Sequence, residues 1–107
     1  MKSIFDKVSQ DCSKNVTNSY STSFSLATKM LSKNIRQDIY NIYGFVRFAD
    51  EIVDSFHDYN KKELLNRFID ELNYSLKNQI STNPILNSFQ STVNKYNIGY
   101  DLIDSFL

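Results

Sequence analysis

Turn-forming residues are scarce: the 107-residue chain has two glycines and one proline, and it has no tryptophan. So few breaks argue against densely turned all-β architectures, whose hairpins and bends draw on glycine and proline. Cysteine occurs once, at Cys12. That excludes an internal disulfide, and with no Cys/His cluster there is no sign of a secreted scaffold or a zinc site. A reducing cytoplasm is the expected compartment. No sign of charge dominates either, since 12 Lys+Arg balance 12 Asp+Glu. General nucleic-acid binding is therefore not expected. The balance conceals an uneven distribution: residues 1–47 carry seven bases and three acids, residues 48–107 five bases and nine acids. Long hydrophobic runs are also missing, with nothing close to the ~20 apolar residues of a spanning helix. No apolar signal region follows Lys2. Peripheral contact with a membrane surface stays open.

What the chain does have is helical periodicity. No segment keeps the strict alternation of a strand, so the expected fold class is all-α, in a single domain over residues 1–107. Ile4, Phe5, Val8, Cys12 and Val16 give a first helix its apolar stripe. The hydroxyl-rich stretch Thr17 to Ser25 follows, where Ser, Thr and Asn side chains compete for backbone hydrogen bonds and predict a bend or short loop. Ser32-Lys33-Asn34 can cap a helix running to about Phe56. Asn60 with Glu63 resembles a capping box for a helix carrying Leu64, Leu65, Phe68, Ile69, Leu72 and Leu76 on its buried side. Residues 81–83 end it. Pro84 suits the first position of another helix, with Ile85, Leu86, Phe89, Val93 and Tyr96 as its apolar set. After Asn97-Ile98-Gly99, the segment YDLIDSFL is again in helical order.

The stretch Tyr40 to Asp54, YNIYGFVRFADEIVD, is the one place where charges recur at helical spacing inside an apolar run. Tyr43, Arg47, Asp50 and Asp54 fall within roughly 60° of one another around a helix axis. Apolar residues cover most of the remaining circumference, with Asn41, Glu51 and Ser55 as the polar strip, so a buried helix is expected. Its arginine and two carboxylates are then expected to face an interior or a cavity, where charge needs pairing or a metal. Asp50 and Asp54, four apart, suit a hard divalent cation such as Mg²⁺ that keeps waters and bridges to phosphate. The same pair is also common on exposed helices, and Arg47 can equally form an intrahelical ion pair with Asp50 or Glu51. The hydroxyls of Ser21, Thr22, Ser23 and Ser25 can donate to phosphate oxygens or simply cap and turn the chain. Tyr40 and Tyr43 can line a cavity or pack in a core. His57 has no second histidine or nucleophile beside it and reads as a surface residue.

Tyr20-Ser-Thr-Ser-Phe-Ser25, then Leu31 and Arg36, then Ile42-Tyr-Gly-Phe-Val-Arg-Phe-Ala-Asp-Glu-Ile-Val-Asp54, together resemble the N-terminal region of the squalene/phytoene synthase family. Pro84-Ile-Leu and Tyr96-Asn-Ile98 fit the helices that follow there. The resemblance implies an all-α isoprenoid synthase fold and head-to-head condensation of two prenyl diphosphates, a step toward carotenoid or sterol precursors. Ionisation of one substrate gives an allylic cation that the other's double bond attacks, closing a cyclopropyl ring. It also implies that Asp50 and Asp54 match the first Mg²⁺-binding motif and, with Arg47, the catalytic set. Ser21, Ser23 and Arg47 match diphosphate contacts, and Phe24 and Tyr43 match positions near the prenyl chains. NADPH enters only for a squalene-type reaction.

The second aspartate-rich motif of that family has no counterpart here, since Asp70-Glu71 and Asp101/Asp104 lack its spacing. Family members are also longer. The expectation is therefore an N-terminal portion of the fold that carries one of two metal motifs and is inactive alone. The expected partners are a prenyl diphosphate, a second copy reached through exposed apolar helices, and a membrane surface. The competing reading is a non-catalytic helical interaction or oligomerisation protein.

Overall fold

The computed structural model describes all residues, Met1–Leu107, as six α-helices without a strand. They are α1 (Lys2–Tyr20), α2 (Thr22–Thr28), α3 (Lys33–Asp54), α4 (Lys61–Asn78), α5 (Pro84–Tyr96) and α6 (Tyr100–Asp104). Their starts follow local chemistry. The Ser32 side chain accepts from the Asn34 N–H, Asn60 from Glu63, and Asn83 from Ile85 and Leu86, with Pro84 opening α5. Each such cap satisfies an N–H that the helix itself leaves without a partner. α4 stops at Asn78, before the expected break at 81–83, because Gln79 takes the left-handed conformation at φ 59°. Asn97 ends α5 in the same way at φ 54°, and left-handed residues are the usual helix terminators.

α3 is the central helix, packing against α1, α4 and α5, while α5 also meets α1 and α4. The core cluster lies between α3, α4, α5 and α6: Phe45, Ile52, Phe68, Leu72, Leu86, Phe89, Val93 and Ile103. Phe45 stacks on Phe89 with ring centroids 3.9 Å apart and lies 5.8 Å from the Phe68 ring. Tyr40 is buried as well, so of its two expected settings it takes the core one. Tyr96, Leu102 and Phe106, in helical order with their neighbours, are exposed.

α1 departs from its apolar pattern. Ile4 and Val8 are exposed, and the buried face of the helix is Ser9, Ser13 and Thr17. Small side chains there permit close approach. A Cβ on Gly44 of α3 would lie 3.4 Å from the Ser13 Cα, Cβ and Oγ, at the near edge of ordinary contact, so the two helices cross closely with Ser13 and Gly44 facing each other. Two of the three hydroxyls bond locally, Ser9 Oγ donating to the Phe5 carbonyl at 2.8 Å and Thr17 Oγ1 to the Ser13 carbonyl at 3.0 Å, while Ser13 Oγ has no partner.

Hydrogen bonds between helices complete the docking of α1. Asn87 on α5, 1% exposed, donates from Nδ2 to Asp6 Oδ1 at 2.9 Å and to Ser9 Oγ at 3.1 Å. Its Oδ1 accepts from the Ser81 N–H at 3.3 Å and from Gln90 at 3.4 Å. A second chain runs from Gln37 Nε2, which donates to the Gln10 carbonyl at 3.0 Å and to Asn41 Oδ1 at 2.9 Å. Asn41 Nδ2 then donates to Thr92 Oγ1 at 3.0 Å. Asn41, expected on a polar strip, is thus buried, because α1 and α5 cover that side of α3 and supply it with partners.

Candidate functional site

The expected site residues lie on the face of α3 left open by α4 and α5, toward the junction of α1 and α2. The backbone breaks there at a single residue. Ser21 adopts φ −149°, ψ 96° between two helices, and its Oγ accepts from the Phe24 N–H at 3.1 Å. Thr17 to Tyr20 stay in α1 and Thr22 to Ser25 start α2, so the hydroxyl-rich stretch bends only at its centre. This sharp turn sets two aromatics against α3. Phe24 stacks on Tyr43 with centroids 4.6 Å apart and planes 23° from parallel. The Tyr20 ring lies under the Arg47 guanidinium, 4.9 Å from centroid to Cζ. Both contacts belong to favourable aromatic and cation–π geometries.

Arg47 is also held by its own helix. Its Nη2 lies 2.8 Å from Glu51 Oε2, with the two side chains 25% and 21% exposed, so the ion pair is partly shielded from water. The Glu51 carboxyl is held below its ordinary value, first by a hydrogen bond from Ser55 and then by Arg47. The Arg47 guanidinium is raised, chiefly by its hydrogen bond to Glu51, with the Asp50 charge adding to the effect. Burial and the hydrogen bond to Glu51 push the Tyr20 phenol up. These groups line a recess of about 200 Å³ together with Val16, Phe48 and Phe56. Arg47 Nε is buried with no acceptor within the protein.

The two aspartates sit differently from expectation. Asp50 and Asp54 are exposed, not enclosed, because α4 covers a different side of this end of α3. Phe48, Val53 and Phe56, expected on buried sectors, are partly exposed, Phe48 even though it stacks on Phe68 of α4 with centroids 5.7 Å apart. Neither aspartate takes part in an ion pair, and neither side chain accepts a hydrogen bond within the protein. Asp54 is the last helical residue of α3, and no basic residue stands in that final turn. The helix end carries a partial negative charge of its own, to which the unpaired Asp50 and Asp54 add, while Glu51 is neutralised by Arg47. Lys61 Nζ caps the Val53 carbonyl at 2.6 Å and does not reach these carboxylates.

The structure therefore sets Phe24 against Tyr43 and Tyr20 against Arg47 along one side of α3. Ser21 serves as the α2 cap, Ser23 is exposed with no side-chain partner, and Asp50 and Asp54 are free at the helix end. No third His, Cys, Asp or Glu joins the two aspartates in a metal-ligand cluster. Two residues outside the expected set belong to the site, Glu51 and Tyr20. Glu51 stands four residues past Arg47, the spacing of its alternative ion-pair reading. Tyr20 has no such periodic signal, since only the turn at Ser21 and the α1–α3 crossing bring it to Arg47. His57 is exposed.

No helix is long and apolar enough to cross a membrane. No curated protein and no solved structure shows a significant match to the chain. The squalene/phytoene synthase family profile, by contrast, matches residues 17–107, from the last turns of α1 through α6. With an all-helical architecture that agrees with the isoprenoid synthase fold of that family, the chain belongs to the squalene/phytoene synthases.

Proposed function

We propose that the open face of α3 is the diphosphate-binding side of a prenyltransferase site that joins two prenyl diphosphates head to head. The observation that carries this reading is the state of Asp50 and Asp54: one turn apart, exposed, and unpaired at the C-terminal end of α3. Carboxylates in that setting fit a hard cation, which takes oxygen ligands and leaves other positions to water and phosphate. Asp50 and Asp54 are the residues that would hold Mg²⁺, which when bound supplies electrostatic stabilisation of the diphosphate leaving group.

The remaining roles follow from chemistry on the page. Arg47 offers positive charge to a diphosphate while Glu51 and Tyr20 fix where the guanidinium lies. Ser21 and Ser23 offer hydroxyl donors at the α1–α2 turn, since Ser21 uses only its oxygen lone pair in capping. The stacked Phe24 and Tyr43 rings form an apolar wall suited to a prenyl chain and to excluding water beside the developing cation. Donors arranged in advance around a leaving group lower the barrier most when they need not reorganise.

Isothermal titration tests the reading. The chain is titrated with a non-hydrolysable prenyl diphosphate analogue, with and without Mg²⁺. Binding heat that requires the metal and disappears in Asp50→Asn/Asp54→Asn is the expected result. Metal-independent heat, or heat that survives the double substitution, contradicts it.

A further inference from the structure

A second feature lies outside that site. From Cys12 to Gln37 the chain has no aspartate or glutamate, yet it carries Lys14, Lys29, Lys33 and Arg36. The nearest acids on either side are already neutralised: Asp11 pairs with Lys7 Nζ at 2.7 Å, and Asp38 with Lys95 Nζ at 2.8 Å. Lys29 and Lys33 belong to no ion pair, so their charge is uncompensated.

Between and beside these two lysines the turn from α2 to α3 exposes aliphatic side chains. Met30 is 88% exposed, Leu26 58%, Leu31 40% and Ile35 38%. The turn is built rather than loose. Met30 N–H donates to the Ala27 carbonyl at 3.1 Å and Leu31 N–H to the Thr28 carbonyl at 3.0 Å. Arg36 folds back on it, Nε donating to the Leu31 carbonyl at 2.9 Å and Nη2 to the Lys29 carbonyl at 2.6 Å. Arg36 thereby uses two of its donors to hold the turn, and Lys29 and Lys33 are exposed on either side of Met30 and Leu31. An ordered turn that presents aliphatic tips between unpaired lysines matches the chemistry of an anionic lipid surface.

We propose that the α2–α3 turn, residues 26–35, is a docking surface for anionic bilayers. Met30 and Leu31 enter the boundary between headgroups and acyl chains, and Lys29 and Lys33 meet lipid phosphates. Charge singles out this occupant. A second copy docking through the same patch by a two-fold axis would set Lys29 and Lys33 against their own equivalents. The other exposed apolar end, Leu102 and Phe106, stands beside Asp101 and Asp104, which an anionic surface repels. The proposal does not depend on the prenyl-transfer reading. It shares only α2, in which Phe24 stacks on Tyr43 and Leu26 is exposed.

Co-sedimentation of the 107-residue chain with vesicles tests it, using equimolar phosphatidylcholine and phosphatidylserine against pure phosphatidylcholine. Binding to the mixed vesicles that falls as salt is raised is expected, since about fivefold in partitioning goes with each surface lysine and is screened by salt. Lys29→Gln/Lys33→Gln should weaken binding roughly 30-fold. Met30→Ser/Leu31→Ser should weaken it at least tenfold, with the far-UV spectrum and melting curve unchanged in both variants. Because the chain has no tryptophan, Met30→Trp supplies a single reporter. Its emission should shift to the blue on mixed vesicles. Three results would each overturn the proposal: equal binding to pure phosphatidylcholine, binding insensitive to both double variants, or a Met30→Trp emission that does not move. So would a patch-dependent dimer in ultracentrifugation without vesicle binding.

Discussion

Replacing Asn87 by alanine should loosen α1 from the rest of the bundle. The side chain is 1% exposed and makes four hydrogen bonds: to Asp6 at 2.9 Å, Ser9 at 3.1 Å, the Ser81 N–H at 3.3 Å and Gln90 at 3.4 Å. At ~1 kcal/mol net for each good bond and less for the two longer ones, the direct loss is about 2–3 kcal/mol. Leaving the buried Ser81 N–H and Ser9 hydroxyl without this partner adds to it, for a total near ~3 kcal/mol. A domain of this size has only ~5–15 kcal/mol to lose. The melting temperature should drop by roughly 10–25 °C, read by calorimetry or far-UV dichroism.

Asn87→Asp sharpens the test. The new carboxylate sits beside Asp6 and cannot donate to it, so this variant should be less stable than Asn87→Ala at neutral pH. The gap should narrow in acid, when the pair shares a proton. Asp6 itself is held below its ordinary 3.8, first by Asn87 and then by Lys2. A lowered value means that its contribution is complete above 3.8 and disappears as pH falls through the folded-state value. Asn87→Ala should remove much of that acid-side slope. A loss below ~1 kcal/mol, with the acid slope intact, would refute the claim that polar contacts dock α1.

Two further substitutions probe the same packing and the α3–α5 strap. Ser13 Oγ is buried without a partner, so Ser13→Ala should raise stability by about 1 kcal/mol, from removing the stranded hydroxyl and improving helix propensity; a destabilised variant in denaturant titration would contradict this. On the other side, Asp38 holds Lys95 above its ordinary 10.5 and Tyr96 above 10.0, in each case mainly through a hydrogen bond. Raised values mean a contribution complete below those values and lost as pH climbs through the folded-state ones. The chain should therefore weaken above about pH 10, and Asp38→Asn should lack that part of the decline; parallel pH profiles for the two proteins would count against it.

The helix starts were legible because capping is local. Ser32, Asn60 and Asn83-Pro84 each need only the next few residues to do their work. The face that α1 buries was not legible, because Ser9, Ser13 and Thr17 read as solvent positions until Gly44 and Asn87 are set opposite them. The same holds for Asn41, whose burial follows from Thr92 and Gln37. Periodicity placed Tyr43, Arg47, Asp50 and Asp54 on one side of α3, but it could not say that this side lies at the surface. That depends on where α4 packs, which no window of sequence contains. The link between Tyr20 and Arg47 likewise exists only once the chain has turned at Ser21.

The central claim is that Asp50 and Asp54 hold a divalent cation against a prenyl diphosphate on the open face of α3. Nuclear magnetic resonance of the labelled chain with Mn²⁺ in place of Mg²⁺ tests it most directly, because paramagnetic broadening marks the residues nearest the ion. The account predicts broadening centred on Asp50 and Asp54, extending to Arg47, Ser21 and Ser23 when a prenyl diphosphate analogue is added. Broadening centred on Asp70 and Glu71 or on Asp101 and Asp104, or none that depends on Asp50 and Asp54, would contradict it.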